Sequence, residues 1–175
     1  MAEERRLGGP AARARGVRPQ PHGGEADQLL AVRSLLETES ARLAAKSVTE
    51  EGVARLREIC RQGHVALAAE DVATMVALNA ELHAVVMRLS GNDVLVELAA
   101  QVDRRVRWYY TPVARHRGAQ SWQEHSDLID AIAAGDADRA GAVMSAHTEH
   151  TRRSYLEQRD DADTSPTAAL KGRVH

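Results

Sequence analysis

The sequence lacks several features that would place it in other protein classes. It contains no phenylalanine, and alanine, leucine and valine supply most of its apolar side chains, a composition that favours closely packed helices over a sheet. Its single cysteine, Cys60, cannot form an internal disulfide, which suits a reducing environment. No stretch approaches 18 uncharged apolar residues, and the N-terminal segment has no apolar core of signal-peptide length. We therefore expect a soluble cytoplasmic protein that does not contact a membrane.

The charge balance gives no overall attraction to nucleic acid. The 23 lysines and arginines against 25 acidic residues leave a formal charge of −2, whereas a dedicated DNA-binding module has a basic face. Residues 1–24 hold five arginines against two glutamates, with several glycines and prolines. This composition predicts a disordered basic tail, because it offers too little apolar surface to bury. Residues 159–175 predict a polar tail, which leaves residues 25–158 as one domain.

Between the tails, apolar spacing and stop signals predict six helices. The first, third and sixth are expected over about residues 25–46, 71–90 and 137–158. The second follows a capping box formed by Ser47 and Glu50, the fourth is expected to end at Pro112, and the fifth begins at a capping box from Ser121 to Glu124. Helices of this length with short connections fold back on one another, so the predicted fold class is all-α, an antiparallel bundle of about six helices.

Three of the predicted inward faces are apolar throughout, among them that of the second helix, with Val53, Leu56, Ile59 and Leu67. The first helix is expected to bury Leu29, Val32, Leu36 and Leu43, and the fourth is expected to bury Leu95, Leu98, Val102, Val106 and Tyr109.

Polar side chains interrupt the inward faces of the other helices. Asn79 and His83 lie four residues apart on the third helix, His125 lies on the fifth, and His147 lies on the sixth. Burying a polar ring without a partner costs about 1–3 kcal/mol. One such histidine is usually hydrogen-bonded within the core, but three on separate helices indicate a shared centre. The remaining histidines are expected in tails, turns or outward positions, at 22, 64, 116 and 175, while His150 is left open between that group and the centre.

The residue types at this centre indicate a metal site. Neutral imidazole nitrogens are the commonest protein ligands for first-row divalent metals, with zinc and nickel the leading candidates, and an amide oxygen can join them. Bundle cores form such sites from inward side chains on several helices. The predicted ligands are Asn79, His83, His125 and His147, with water or another ligand in the open positions.

The segments "NAELHAVVMRLSGN" and "EHSDLIDAIAAGDADRAGAVMSAH" resemble the FCD domain, the effector-binding domain of FadR-type regulators in the GntR superfamily of bacterial transcription regulators. The resemblance covers about residues 25–158. It implies an antiparallel bundle, often a homodimer, whose cavity holds a metal in many members and a small organic acid as effector. By position, the resemblance also implies that Asn79, His83, His125 and His147 are the metal ligands.

Two residues depart from the family pattern. Asn79 stands where an aspartate is usual, which removes a negative charge and is expected to lower metal affinity. Leu82 replaces the usual aromatic residue and is expected to alter the shape of the cavity.

A third departure concerns DNA. Regulators of this family carry a winged helix-turn-helix before the effector domain, and only 24 residues precede the first predicted helix here. We expect DNA binding only if such a reader is supplied elsewhere, and truncation or a frameshift would explain its loss.

Two further residues receive roles. Arg105 lies at the edge of the inward face of the fourth helix, and its guanidinium is expected to enter the cavity and bind the carboxylate effector, the alternative being a solvated charge run. Glu124 is interpreted as a helix cap.

Three functions remain open: an effector-sensing domain of a GntR/FadR-type regulator, a metal-dependent enzyme, or a structural bundle with hydrogen-bonded core histidines. The sequence favours the first, without enzymatic activity.

Overall fold

The computed structural model describes residues 23–106 and 110–164, which form six helices and no strand. The helices are α1 Gly23–Ser47, α2 Glu50–Ala68, α3 Val72–Leu89, α4 Asp93–Val106, α5 Tyr110–Ala133 and α6 Ala137–Thr164. The predicted all-α bundle is therefore confirmed. The predicted tails lie mostly outside the described residues, although α6 continues past the boundary expected at residue 158.

Several helices begin or end at the capping residues and glycines that the sequence predicts. Gly91, at φ +67°, and Gly135, at φ +70°, follow the ends of α3 and α5 in the left-handed conformation that favours glycine. The side chain of Asn92 accepts a hydrogen bond from the backbone N–H of Leu95 at 3.1 Å, and Asp136 caps α6 in the same way. These breakers fold the chain back on itself at both positions.

Both predicted capping boxes are wrong. Thr49, not Ser47, caps α2, because its hydroxyl accepts from the N–H of Gly52 at 3.1 Å. Ser121 lies in the middle of α5, which already begins at Tyr110. Pro112 therefore belongs to the first turn of α5, where a missing N–H leaves no hydrogen bond unmade.

The buried face of α1 differs from the predicted one. Val32 is 45% exposed, and Leu29, Leu36 and Leu43 are only partly buried. Apart from Leu30, the face that turns inward instead carries small and polar residues: Ala26, Arg33, Glu37, Ser40, Ala41 and Ala44. The prediction failed because Arg33 and Glu37 pair with each other on this face and Glu37 also faces His83 of α3, which apolar spacing alone does not reveal.

The buried face of α4 is also rotated from the prediction. Leu98 is 48% exposed, while Ala99 is buried together with Leu95 and Val106. Tyr109, which was expected on the same face, lies outside the described residues.

Two apolar clusters enclose a polar layer. The larger includes Leu56, Leu82, Leu128, Ile132 and Met144, and the smaller includes Ala26, Leu30, Val106, Val113 and Tyr155. On α1, Arg33 and Glu37 fall between Leu30 of the smaller cluster and Ala41 of the larger. On α6, His147 and Thr151 fall between Met144 and Tyr155 in the same way. The fold thus brings buried polar side chains of several helices to one level of the bundle.

Helix α3 is long and apolar enough to span a membrane by length and composition. It packs against α1, α2, α4 and α5, however, and buries residues along its whole length, from Met75 to Met87. It is therefore a core helix of this bundle.

Candidate metal centre

Three histidines from separate helices meet in the polar layer. His83 of α3, His125 of α5 and His147 of α6 are 3%, 1% and 3% exposed. One ring nitrogen from each lies within 4.8 Å of the others, and the ring centroids are 4.6–5.3 Å apart. The predicted convergence of these three rings is therefore confirmed, and burial keeps bulk water from them.

A buried carboxylate lies behind His83. Oε2 of Glu37 lies 3.1 Å from Nδ1 of His83, and its Oε1 lies 2.8 Å from the guanidinium of Arg33. Burial by itself would raise the pKa of Glu37, but the charge of Arg33 and the hydrogen bond from the His83 ring lower it to about 2. Glu37 is consequently an anion at neutral pH. Because this carboxylate faces Nδ1 of His83, the Nε2 atom is the ring nitrogen that points away from Glu37.

A second carboxylate holds His147. Nδ1 of His147 donates to Oε2 of Glu124 at 2.8 Å, and Nδ1 of His150 donates to Oε1 at 2.7 Å. Arg117 donates to both carboxylate oxygens, at 2.8 and 2.9 Å. Although burial opposes ionisation, these donors lower the pKa of Glu124 to about 2. The interpretation of Glu124 as a helix cap is therefore wrong: it lies inside α5 and orients a ring of α6.

His150 lies next to the three converging histidines but is not one of them. Its ring is bound to Glu124 and its side chain is 41% exposed. His150 thus supports the carboxylate behind His147.

His125 has no such support. Both of its ring nitrogens are buried and make no hydrogen bond within the described part of the chain, and the same holds for Nε2 of His83. Burial and the neighbouring His147 and His83 hold the pKa of His125 well below its usual value. Its ring meets the indole of Trp122 edge-on, with centroids 4.9 Å apart. The ring of His125 is therefore neutral at pH 7, and one of its two nitrogens carries an unshared electron pair.

The three rings fit a divalent metal. Bonds of about 2.1 Å place nitrogens about 3.4 Å apart around a tetrahedral ion, a spacing that small ring movements reach from the observed one. Histidine ligands usually donate their second nitrogen to a carboxylate, as His147 does and as the position of Glu37 allows for His83. Three neutral nitrogens leave at least one coordination position open.

The fourth predicted ligand is close to this centre but belongs to a cavity. Asn79 is half-buried one turn before His83, and it lines a cavity of about 30 Å³ together with Arg33, Ser121 and His147. That volume admits water molecules only. A larger groove of about 400 Å³ opens between α3 and α4, where His83 and Arg104 are among its lining residues. Of the three histidines, His147 lines the small cavity and His83 lines the groove.

Arg105 does not enter either space. Its side chain is 57% exposed and its guanidinium pairs with Glu25 at the start of α1. The predicted position of this guanidinium is wrong because Arg105 follows Leu98 by two helical turns, on the side of α4 that faces solvent. Its assignment to an effector is not tested.

The sequence interpretation missed the buried charged residues around the histidines. Arg33, Glu37 and Arg117 received no role, and Glu124 received the wrong one. A partial signal was present, because Arg33 and Glu37 lie four residues apart in a helix whose next turns, through Ala41 and Ala44, carry small residues.

Comparison with known proteins agrees with this architecture. Residues 28–150 match the FCD domain. The fold is similar to Streptococcus agalactiae GntR, with a TM-score of 0.65 and 23% identity over 73% of this chain and 58% of that chain. It is also similar to E. coli McbR/YncC, with a TM-score of 0.71 and 18% identity over 80% of this chain and 72% of that one. The chain thus spans little more than half of the first of these proteins. No curated protein matches the sequence.

Since the match to the FCD domain covers well over half of its length, this chain belongs to the FCD domain family and is an effector-binding regulatory domain rather than an enzyme.

Proposed function

We propose that the bundle core senses a small carboxylate effector through a divalent metal, zinc or nickel, bound by His83, His125 and His147. The observation that carries this proposal is the set of buried nitrogens on His83 and His125 that make no hydrogen bond within the described residues. Leaving such groups unsatisfied costs about 1–3 kcal/mol each, and a metal ion removes that cost by accepting their electron pairs. Neutral imidazole is also the ligand type that zinc and nickel share.

The residues around the ligands have defined roles in this proposal. Glu124 orients His147 through Nδ1, and Glu37 faces the same atom of His83. Asn79 offers a neutral oxygen from the wall of the small cavity, and a carboxylate effector offers a charged one. The open coordination position is therefore completed by Asn79, by water or by the effector.

The positions of the three histidines on different helices explain how binding at this centre would regulate the protein. His83, His125 and His147 belong to α3, α5 and α6, and Glu37 ties α1 to the same centre. A metal and effector that bind one arrangement of these helices more tightly than another shift the population toward it. In the assembled regulator we propose that this shift acts in the cytoplasm on a homodimer and on a DNA-binding part supplied by a separate segment or chain.

The direct test is metal titration of the purified chain after treatment with a chelator. We expect calorimetry to detect one zinc or nickel ion per chain, and to detect none in the His125→Ala variant. His116→Ala is the matched control, because His116 is exposed on the same helix. A wild-type chain with all three histidines intact and no titratable divalent ion would falsify the proposal.

A further inference from the structure

The exposed large apolar side chains of the described helices are concentrated on one side of the bundle. Val32 and Leu35 of α1 and Val94 and Leu98 of α4 are between 45% and 73% exposed, and Val65 on α2 is the one other such residue in the described part of the chain. We call the surface that carries these four residues the α1–α4 face. Single apolar residues on a surface are ordinary, whereas a group of them on adjoining helices marks an interaction site.

The two helices bring these side chains to the same level. α1 packs against α4, and Glu25 at the start of α1 pairs with Arg105 at the end of α4, so the two helices are antiparallel. Both helices rise by about 1.5 Å per residue. Val32, seven residues after Glu25, therefore lies level with Leu98, seven residues before Arg105. The exposed apolar side chains thus form one patch across both helices.

The charged side chains of α4 have opposite signs at its two ends. Asp93 and Glu97 are exposed in its first half, and Arg104 is exposed in its last turn, while half-buried Asp103 lines the groove toward α3. Asp93 and Arg104 are about three helical turns apart, so they lie on the same side of α4, about 17 Å apart along its axis. The midpoint between them falls beside Leu98. An antiparallel copy of α4 centred at this level sets each Asp93 opposite the Arg104 of the other copy.

The size of the face is close to what a stable dimer needs. α1 has 25 residues and α4 has 14, which makes them about 37 and 21 Å long, and each helix is about 10 Å wide. Their combined outline is roughly 600 Å², compared with about 800 Å² buried by each partner in a typical specific interface. A two-fold pair uses the same face on both copies, and it therefore leaves no such face open to a third.

We propose that the α1–α4 face is the interface between two copies of this chain, related by a two-fold axis that passes beside Val32 and Leu98. The α4 helices of the two copies run antiparallel, so that Leu98 of one meets Leu98 of the other and each Asp93 pairs with the opposite Arg104. This inference rests on the part of the proposed function that places the regulator in a homodimer, and it names the surface and the register.

The experiment is sedimentation equilibrium of the full chain over a range of concentrations, after treatment with a chelator so that no metal contributes. We expect the wild type to dimerise. Leu98→Glu places two carboxylates together at the two-fold axis and should raise the dissociation constant by about 30-fold or more, as expected for the centre of an interface. Val65→Glu is the matched control, because Val65 is as exposed but lies on α2, and it should change the constant by less than about twofold. Far-UV circular dichroism checks that each variant is folded.

A charge exchange tests the antiparallel register. Asp93→Arg and Arg104→Asp each place like charges opposite one another across the axis, and each should raise the dissociation constant by about tenfold. The double variant restores opposite charges and should return to within about threefold of the wild type. An effect of either substitution on α4 alone would not be relieved in the double variant.

Each result decides a different part of the proposal. A wild-type chain that stays monomeric at every concentration overturns the homodimer and the face together. A Leu98→Glu variant that dimerises as well as Val65→Glu overturns the face while the homodimer stands. A double variant no better than the single ones overturns the antiparallel pairing of the α4 helices. These results are separate from metal titration, so failure of this interface and failure of the metal site are distinguished.

Discussion

The Oε2 atom of Glu124 on α5 lies 2.8 Å from Nδ1 of His147 on α6, so a residue adjacent to one candidate ligand in sequence orients another candidate ligand across a helix interface. The neighbour in sequence, His125, carries a ring with no hydrogen bond in the described part of the chain. This arrangement leaves Nε2 of His147 as the nitrogen available to a metal.

Replacing Glu124 by glutamine is expected to weaken zinc binding by about 10–100-fold, because the neutral amide holds the His147 ring less strongly and no longer makes the nitrogen more basic. Calorimetric titration measures the loss. Glu58→Gln, at an exposed ion pair on α2, is the control and should bind zinc as the wild type does. Equal affinity in the two variants would show that Glu124 does not position the ligand.

The His125→Leu variant is expected to be more stable than the wild type by about 1–2 kcal/mol in the metal-free state, because leucine has a similar size and removes two buried nitrogens without partners. Urea unfolding of chelator-treated protein measures this difference. Excess zinc should reverse the order, since only the wild type gains stability from binding. A destabilised metal-free variant would instead favour a structural role for this histidine.

The metal-free protein is expected to lose stability as the pH falls from about 6.5. Burial lowers the pKa of His147 to about 4 and that of His125 well below 6.5, so the unfolded chain takes up protons that the folded chain refuses. Below about pH 4.5 the carboxylates act in the same direction, because the pKa values of Glu37 and Glu124 are lowered to about 2.

Urea unfolding at about pH 7 and pH 5 should therefore show a decrease of roughly 1–3 kcal/mol in the free energy of unfolding. The His125→Leu variant should lose less over the same interval. A free energy that stays constant or rises on acidification would contradict the burial of neutral rings.

Gly63→Ala is expected to destabilise the fold by roughly 1–3 kcal/mol despite the better helix propensity of alanine. A Cβ atom at Gly63 would lie 2.3 Å from the indole of Trp122, which is 2% exposed. Because that indole meets the ring of His125, zinc affinity should fall as well. Gly24→Ala is the control, since a Cβ there meets nothing within 4 Å. Thermal unfolding and zinc titration check both effects, and a Gly63→Ala variant indistinguishable from Gly24→Ala would refute the packing argument.

The surface position of Arg105 is also testable. Its pair with Glu25 is exposed on both sides, and such pairs contribute about 0–1 kcal/mol. Arg105→Ala is expected to change the free energy of unfolding by less than about 1 kcal/mol, and any effect of a small carboxylate such as succinate on zinc affinity should be the same as in the wild type. A loss of that effect would restore the effector role that the sequence predicted for this residue.

Local sequence patterns were sufficient to predict the number of helices and the inward position of the three histidine rings. Gly91, Gly135 and Asp136 act on their own neighbours, so their effect on the backbone can be predicted from a few residues. His83, His125 and His147 could be placed inward because each lies in an apolar stripe, and their polarity within that stripe marked them as unusual.

The sequence by itself therefore determined the number of helices, most of their ends and the inward position of the three histidines, since these depend on hydrogen bonds and periodicity within one helix. Only the tertiary structure decided that Glu37 and Glu124 lie behind the histidines, that α5 runs through Ser121, and that Arg105 faces solvent while Arg104 lines a groove. The physical reason is that the histidine partners of these carboxylates lie on other helices: Glu37 of α1 faces His83 of α3, and Glu124 of α5 binds His147 of α6. The pattern within one helix records its own charged pairs but not the residue that it meets on a neighbouring helix.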